Sequence, residues 1–363
     1  MVASELKRVG KPKKEEWLII QNHFADGDLS FHIFTALQEH AGWFDLLDSL
    51  GCFQDWLNSE DDRRINITIQ YLAFPVMQDL RSKRIAELIM PICNGSDELW
   101  QKRIMRILSW GKAHKSQEMK DIFLAQIATG AFDDNENKRF WNLHHEAEDQ
   151  SPKFLVDAIK TWFEHAFKKT TNVKAWDHLE DNKLNRSSSG AHIVRKVSAK
   201  EPEYFVEQML PLVTAVILKT EYSSGGEDFN RMWPSLSNDG APYRISEAIL
   251  LSLRKSLQHL ARHSPTLYRQ KISSVLLQPH QTFGYLLLQS WAENPIEFAD
   301  ECAEYLIADQ RRLNIGYGSW IGDHKGEGKS AISRIALSLG ASVWSSASRK
   351  SSKRVVLCRF DCA

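Results

Sequence analysis

The stretch that decides the fold runs from Arg244 to His263 and reads RISEAILLSLRKSLQHLARH. A helical period of 3.6 residues places one set of its residues on a single, mostly apolar stripe: Ile245, Ala248, Ile249, Ser252, Leu253, Leu257 and Leu260. The opposite side carries Glu247, Arg254, Lys255 and Gln258. The pattern predicts an amphipathic helix with one buried face and one face in water.

The same spacing recurs along the chain. It is found in Leu99, Ile104, Ile107 and Leu108, in Phe154, Leu155, Ala158, Ile159, Trp162 and Phe163, and in Phe298, Cys302, Tyr305 and Leu306. Alternating runs typical of strands are nearly absent, and the best candidate, residues 65–71, continues into an apolar helical pattern. We therefore interpret residues 65–71 as helix and predict an all-α fold.

Several helix starts share one chemical form, a polar residue followed by proline: Ser151-Pro152, Glu201-Pro202, Ser264-Pro265 and Asn294-Pro295. Serine or asparagine can cap the free amide groups of a first turn, and proline fits the first helical position. The starts are irregularly spaced, which suits degenerate helical hairpins. HEAT and armadillo repeats run to about 40–47 residues. We predict an α-solenoid of irregular HEAT/TPR-like hairpins.

Three polar or glycine-rich segments interrupt this rhythm, at residues 168–190, 222–240 and 314–328. A solenoid accommodates such loops at its edge. The predicted organisation is an N-terminal helical array (1–167), a polar linker (168–190), a C-terminal helical array (191–341) and an atypical tail (342–363). The tail is serine-rich and basic without helical spacing, which indicates either a disordered segment or an out-of-frame peptide.

The composition excludes several classes of protein. Of 363 residues, 43% are hydrophobic and 25% charged, and 46 basic residues balance 46 acidic ones, so no overall field attracts nucleic acid or an anionic membrane. The first residues lack a signal-peptide core, and no run approaches the roughly 18–20 apolar residues of a membrane span. We expect a cytoplasmic protein whose five cysteines are reduced and mostly buried.

The segment from Asp323 to Ser330, DHKGEGKS, matches the second half of a phosphate-binding P-loop. Asp323 stands where the first glycine of the motif belongs, and its charge would face the phosphates. No convincing strand precedes the segment, and few residues follow it. We interpret it as a helix-initiating loop.

Other candidate sites have simpler interpretations. His259 and His263 have the spacing of a metal pair, but the glutamate of a zinc-protease motif is missing and Arg262 lies beside them, which favours a solvated pair at a helix end. Residues 144–149, HHEAED, place donors on different helix faces and indicate a charged surface segment. No Gly-x-Ser-x-Gly elbow or triad can be named. We predict no catalytic, cofactor-binding or metal-binding residues and no cofactor.

Twelve tryptophans are spread along the chain, and we expect most to fill cores between helices. Some tryptophans serve as anchors in protein interfaces. Trp233 and Trp320, in loop segments, are the first candidates for that role.

Residues 294–320, NPIEFADECAEYLIADQRRLNIGYGSW, followed by SAISRIA at 330–336, resemble a helical-repeat segment of large bacterial antiviral ATPases of the STAND class. In that class a helical sensor array recognises a phage protein. The resemblance covers only residues 294–336. It implies a detached piece of a sensor array, and it carries over neither ATP hydrolysis nor any catalytic residue.

The sequence as a whole favours a non-enzymatic helical-repeat module that binds another protein, since an extended array has much surface and no natural deep pocket. One alternative is a nucleotide-binding enzyme using Lys329 of the segment 323–330. A second alternative is a nucleic-acid-binding helical scaffold, which the scattered basic patches do not favour.

Overall fold

The structure is a computed structural model. It describes residues 12–21, 32–33, 35–37, 41–93, 98–108, 112–132, 145–168, 185–219, 244–278, 280–309 and 312. Within these ranges nearly all residues are helical and none belongs to a strand; residues 186 and 244 form an isolated antiparallel bridge. The predicted all-α class is confirmed.

Chain contacts divide the molecule into two compact units, Met1–His165 and Ala166–Ala363. The helices that begin in the first unit are α1 Lys14–Ile20, α2 Ala41–Ser49, α3 Cys52–Leu57, α4 Asp62–Ala73, α5 Pro75–Cys93, α6 Glu98–Leu108, α7 Gln117–Thr129, α8 His145–Gln150 and α9 Pro152–Lys168, with a 3₁₀ turn at Ala113–Lys115. Those of the second unit are α10 Ser188–Lys200, α11 Pro202–Lys219, α12 Ile245–His263, α13 Pro265–Ile272, α14 Gln281–Trp291 and α15 Pro295–Ala308. Most of the predicted linker, residues 169–184, lies outside the described residues, so the domain division stays a prediction.

The predicted helix starts are confirmed, whereas part of the predicted capping is wrong. Helices begin at Pro152, Pro202, Pro265 and Pro295, and α4 contains all of residues 65–71. The side chains of Ser264 and Asn294 make no capping hydrogen bond. Asn294 Nδ2 instead donates to the Ala261 carbonyl at the end of α12, over 3.3 Å. The asparagine therefore joins two helices rather than closing its own.

Within each unit, a helix packs on its sequence neighbour and also on the helix after that. In the first unit α4 contacts α5 and α6, and α5 contacts α7; in the second, α12 contacts α10, α11, α13 and α14. Helices α2 and α5 run parallel, because Asp45 and Asp48 of α2 pair in the same order with Arg81 and Arg84 of α5. This is the packing that stacked helical pairs produce.

Several side-chain hydrogen bonds join residues about one helical pair apart in the sequence. The interval is 31 residues for Arg254 and Tyr285, 36 for Asp45 and Arg81, and 41 for Asp62 and Arg103. This range includes the 34 residues of a tetratricopeptide pair and reaches the length of about 40 residues of the shortest HEAT repeats. The local packing agrees with a helical repeat, while the solenoid as a whole stays a prediction.

The predicted stripe of α12 is buried, but its predicted polar face is not all in water. Arg254 is only 6% exposed, and Leu250 and Leu251 on other sides are buried too. Four helices pack on α12, so almost every side of it is interior. The expectation that Arg254 faces water was therefore wrong.

The other predicted stripes are confirmed with one exception. The residues of α9 and α15 named for the core are buried, as are Ile104, Ile107 and Leu108 of α6. Leu99, at the start of α6, is exposed. Of the described tryptophans, Trp17, Trp43, Trp162 and Trp291 are buried and Trp56 and Trp100 are half-buried, as the core interpretation expects.

Candidate interaction surface

The two histidines with metal-pair spacing lie at the exposed C-terminal end of α12, as the sequence predicts. The ring centroids of His259 and His263 are 4.5 Å apart with an interplanar angle of 42°. Partial burial, and then the neighbouring His263 ring, lower the pKa of His259. The spacing predicts that the residues share a face; the structure adds that the rings lie side by side.

Four charged side chains form a cluster that we call the ionic junction: Asp79 of α5, Lys112 before the 3₁₀ turn, Lys115 within it, and Glu146 of α8. Lys112 Nζ lies 2.8 Å from Glu146 Oε2 and 3.1 Å from Asp79 Oδ2. Lys115 Nζ lies 3.2 Å from Asp79 Oδ1 and 3.3 Å from Glu146 Oε2. The ionic junction thus joins three elements of the first unit with two cations and two anions.

The charges of the ionic junction compensate one another. Contacts with Lys112 and then Lys115 lower the pKa of Glu146 to about 2. Burial lowers the pKa of Lys112, but its contacts with Glu146 and Asp79 together raise it above the ordinary value. The sequence interpretation of residues 144–149 as a charged surface is wrong for Glu148, which is buried. These partners make the ionic junction a link between elements rather than an open ligand site.

Paired arginines link α2 to α5 in the same unit. Arg81 contacts both oxygens of Asp45 at 2.6 and 2.7 Å, and Arg84 contacts both oxygens of Asp48 at 2.8 and 3.0 Å. Two-point contacts of this kind are among the more directional hydrogen bonds. The backbone of α5 is non-helical at Arg81, with φ −135° and ψ 23°, so the helix is kinked at one of these links.

The second unit uses charged groups in the same way. Arg269 of α13 lies 2.8 Å from Glu297 and 2.7 Å from Glu301 of α15, and its guanidinium sits 4.8 Å from the Phe298 ring centroid. Lys271 of α13 lies 3.0 Å from Glu207 of α11. These groups hold neighbouring helices together and are not arranged as a catalytic site.

Large apolar side chains are exposed at several places: Leu18, Ile19, Val76, Leu80, Met90, Leu99, Leu218, Leu277, Ile296 and Ile307. Two of them share a face of α15, where Ile296 is 80% exposed and Ile307 is 61% exposed. Residues eleven positions apart return to the same side of a helix after three turns, about 16 Å along the axis. We call the side of α15 that carries Ile296, Asp300, Ala303 and Ile307 the outer face of α15.

The exposed positions Ile296 and Ile307 were not predicted from the sequence, although a signal for them existed. The residues predicted for the core stripe of α15 are buried: Phe298, Cys302, Tyr305 and Leu306. The remaining isoleucines, eleven positions apart, could have been placed on the opposite face by the same period. The sequence does not predict that these two side chains are left uncovered by the other described helices.

The three cysteines in the described ranges form no disulfide, and their surroundings disfavour ionisation of the thiol. Cys302 is buried and Cys52 and Cys93 are half-buried. Burial raises the pKa of Cys302 to about 12 and that of Cys93 to about 11, and burial followed by the Asp55 charge raises the pKa of Cys52. A thiol that resists ionisation is a poor nucleophile.

The described ranges contain no group of three or more histidine, cysteine, aspartate or glutamate side chains that could hold a metal ion. In the same ranges, no helix is both long and apolar enough to cross a membrane. Several predicted features lie outside the described residues: the segment 323–330, Trp233, Trp320, Cys358, Cys362 and the tail 342–363. Their interpretations stay predictions.

No family model, no curated protein and no solved structure matches this chain. The resemblance of residues 294–336 to STAND sensor arrays therefore stays a prediction.

Proposed function

We propose that this chain is a non-enzymatic helical-repeat module that binds another protein, and that the outer face of α15 is part of the contact surface. The observation that supports this proposal is the pair of exposed isoleucines, Ile296 and Ile307, on one side of that helix. The two side chains lie about 16 Å apart on one helix face, with Asp300 and Ala303 between them. Exposed apolar side chains spaced by whole turns on one face are the anchors by which a helix docks into an apolar groove of a partner.

The rest of α15 is built to hold this face in place. Its inner side packs against the preceding helices, with Tyr268 of α13 5.1 Å from Phe298 and Trp291 of α14 5.4 Å from Tyr305 between ring centroids. Arg269 holds the first two turns through Glu297 and Glu301. A rigid helix offers its exposed side chains to a partner at little cost in conformational entropy.

The energetic gain from covering the outer face is substantial. Burying an isoleucine side chain contributes about 1.5–3 kcal/mol relative to leaving it in water. The two residues together could supply several kilocalories per mole of binding free energy, enough to change affinity by more than tenfold when either is truncated. The acidic Asp300 and Glu304 at this helix favour a partner surface that is apolar with basic neighbours.

The resemblance described above includes α15. Under that resemblance the chain is a piece of an antiphage sensor, and its partner is a phage protein. This part of the proposal rests on the sequence alone.

Affinity capture with matched baits tests the proposal. The baits are the unmodified protein, Ile296→Asp/Ile307→Asp, and a control, Leu218→Asp, which changes a half-exposed leucine of α11. We expect one protein to bind the unmodified chain and the control but not the double variant. The purified partner should bind the double variant at least tenfold more weakly than it binds the unmodified chain. Equal binding of every captured protein to all three baits would contradict the proposal.

A further inference from the structure

We propose that His259 and His263 form a two-histidine site for a divalent transition-metal ion such as Ni²⁺, Cu²⁺ or Zn²⁺. The site lies in the last turns of α12, on residues distinct from Ile296 and Ile307. Either proposal can therefore fail without the other.

The geometry of the two rings carries the inference. Both side chains are exposed, four residues apart on one helix, with ring centroids separated by 4.5 Å. Metal–imidazole bonds are about 2.0–2.1 Å long, so two nitrogens on one ion lie roughly 3 Å apart. Rings already this close reach that separation by small rotations of their side-chain torsions.

Both rings are available as ligands. Neither imidazole is joined by an ion pair or a hydrogen bond to another side chain in the part of the chain that the structure describes. A metal binds the neutral imidazole.

The surrounding charges set the strength of the site. The C-terminal end of a helix carries a partial negative charge that favours a cation. Lys255, one turn before His259, and Arg262, next to His263, are exposed cations that oppose it. Because only two protein ligands are present, water completes the coordination shell, and we expect a single, moderate-affinity site.

The nature of the ligands selects the class of metal. Imidazole suits zinc, copper and nickel, whereas calcium and magnesium prefer oxygen ligands. The site should therefore not bind Mg²⁺ at the concentrations at which Ni²⁺ saturates it. The sequence alone predicts no metal here; the side-by-side arrangement of the rings is the added observation.

Calorimetric titration of the untagged full chain with NiCl₂ at pH 7.5 tests the proposal. The variants are His259→Asn, His263→Asn and, as a control, His32→Asn, an exposed histidine elsewhere in the chain. We expect each of the first two to weaken the tightest Ni²⁺ site at least tenfold and the control to leave it unchanged. Far-UV circular dichroism and metal-free thermal unfolding should be the same for all four proteins, because the substituted side chains are exposed.

Any of three results would overturn the proposal. One is Ni²⁺ affinity that is the same in His259→Asn as in the unmodified chain. A second is loss of affinity in only one of the two single variants, which would show that the rings do not act together. Saturation by Mg²⁺ in the same range as Ni²⁺ would also contradict it.

Discussion

Replacing Tyr285 by phenylalanine tests whether a buried hydrogen bond between α12 and α14 stabilises the second unit. Nη1 of Arg254 donates to the Tyr285 hydroxyl over 3.0 Å, and both residues are buried. A hydrogen bond to a charged group contributes about 1.5–3 kcal/mol. Because phenylalanine removes only the hydroxyl, we expect the free energy of unfolding to fall by about that amount.

The chain supplies a matched control in the same unit. The Tyr305 hydroxyl is also buried, but it has no hydrogen-bond partner among the described residues. Removing a buried polar group that is not hydrogen-bonded relieves a desolvation cost. We therefore expect Tyr305→Phe to leave the free energy of unfolding unchanged or to raise it.

Urea unfolding followed by far-UV circular dichroism measures both variants. For a cooperative unit of 150–250 residues, a loss of 2 kcal/mol lowers Tm by roughly 4–8 °C, which gives a second readout. A double-mutant cycle with Arg254→Met isolates the pair, since Tyr285→Phe should cost less when no guanidinium is present. Equal effects of Tyr285→Phe and Tyr305→Phe would refute the reasoning.

Three further changes probe other parts of the fold. Trp291→Ala, at a fully buried position, should lower the free energy of unfolding by about 3–5 kcal/mol, and Trp100→Ala, at a half-buried one, by less, both measured by urea unfolding. The pKa of Glu146 lies below its ordinary value, so the ionised side chain stabilises the folded state above pH 4.5, and this stabilisation is lost as the pH falls towards about 2. For a half-exposed group it amounts to about 1 kcal/mol at most. Unfolding measured from pH 6 to pH 2 should show this loss in the unmodified protein but not in Glu146→Gln. Gly51 has a left-handed backbone with φ 74°. Thermal unfolding should show that Gly51→Ala lowers the free energy of unfolding by roughly 1–2 kcal/mol and Gly51→Asn by less, because asparagine tolerates the left-handed region better. Equal stability of the two variants would contradict the left-handed conformation.

Much of the helical architecture could be predicted from local sequence. Proline marks the starts of α9, α11, α13 and α15 because its fixed φ and missing amide suit the first turn, although Pro91 and Pro211 lie inside α5 and α11. Residues 65–71 are helical despite their short alternating run, since the apolar pattern that follows has a helical period. Local signals of this kind depend on a few neighbouring residues, so they can be recognised without knowledge of the tertiary contacts.

Burial that depends on several helices could not be predicted. A prediction from helical periodicity assumes that a helix has one buried face. Four helices pack on α12, so Arg254 is buried although it lies opposite the apolar stripe. Leu99 fits the period of α6 and is nevertheless exposed at its first turn. The intervals of 31 to 41 residues between hydrogen-bonded side chains could not be predicted either, because they appear in contacts between helices and not in the positions of prolines.

The candidate sites were likewise only partly predictable from the sequence. The spacing of His259 and His263 was visible in the sequence, but the distance between their rings requires the torsion angles of both side chains. The ionic junction unites residues 79, 112, 115 and 146, which no short motif connects. Distant partners of this kind become apparent only when the packing of the helices is known.

The two arginine–aspartate pairs between α2 and α5 also specify which alignment of these helices is correct. If α2 slid forward by one turn, Asp48 would face Glu87 instead of Arg84, and Arg81 would lose its carboxylate. A slide in the other direction would bring Asp48 to Arg81 and leave Arg84 without Asp48. Each misaligned arrangement therefore forfeits an ion pair, and one adds repulsion. In a chain made of similar helices, where wrong docking is a characteristic folding error, this pattern of charges discriminates against the incorrect alignments of α2 and α5.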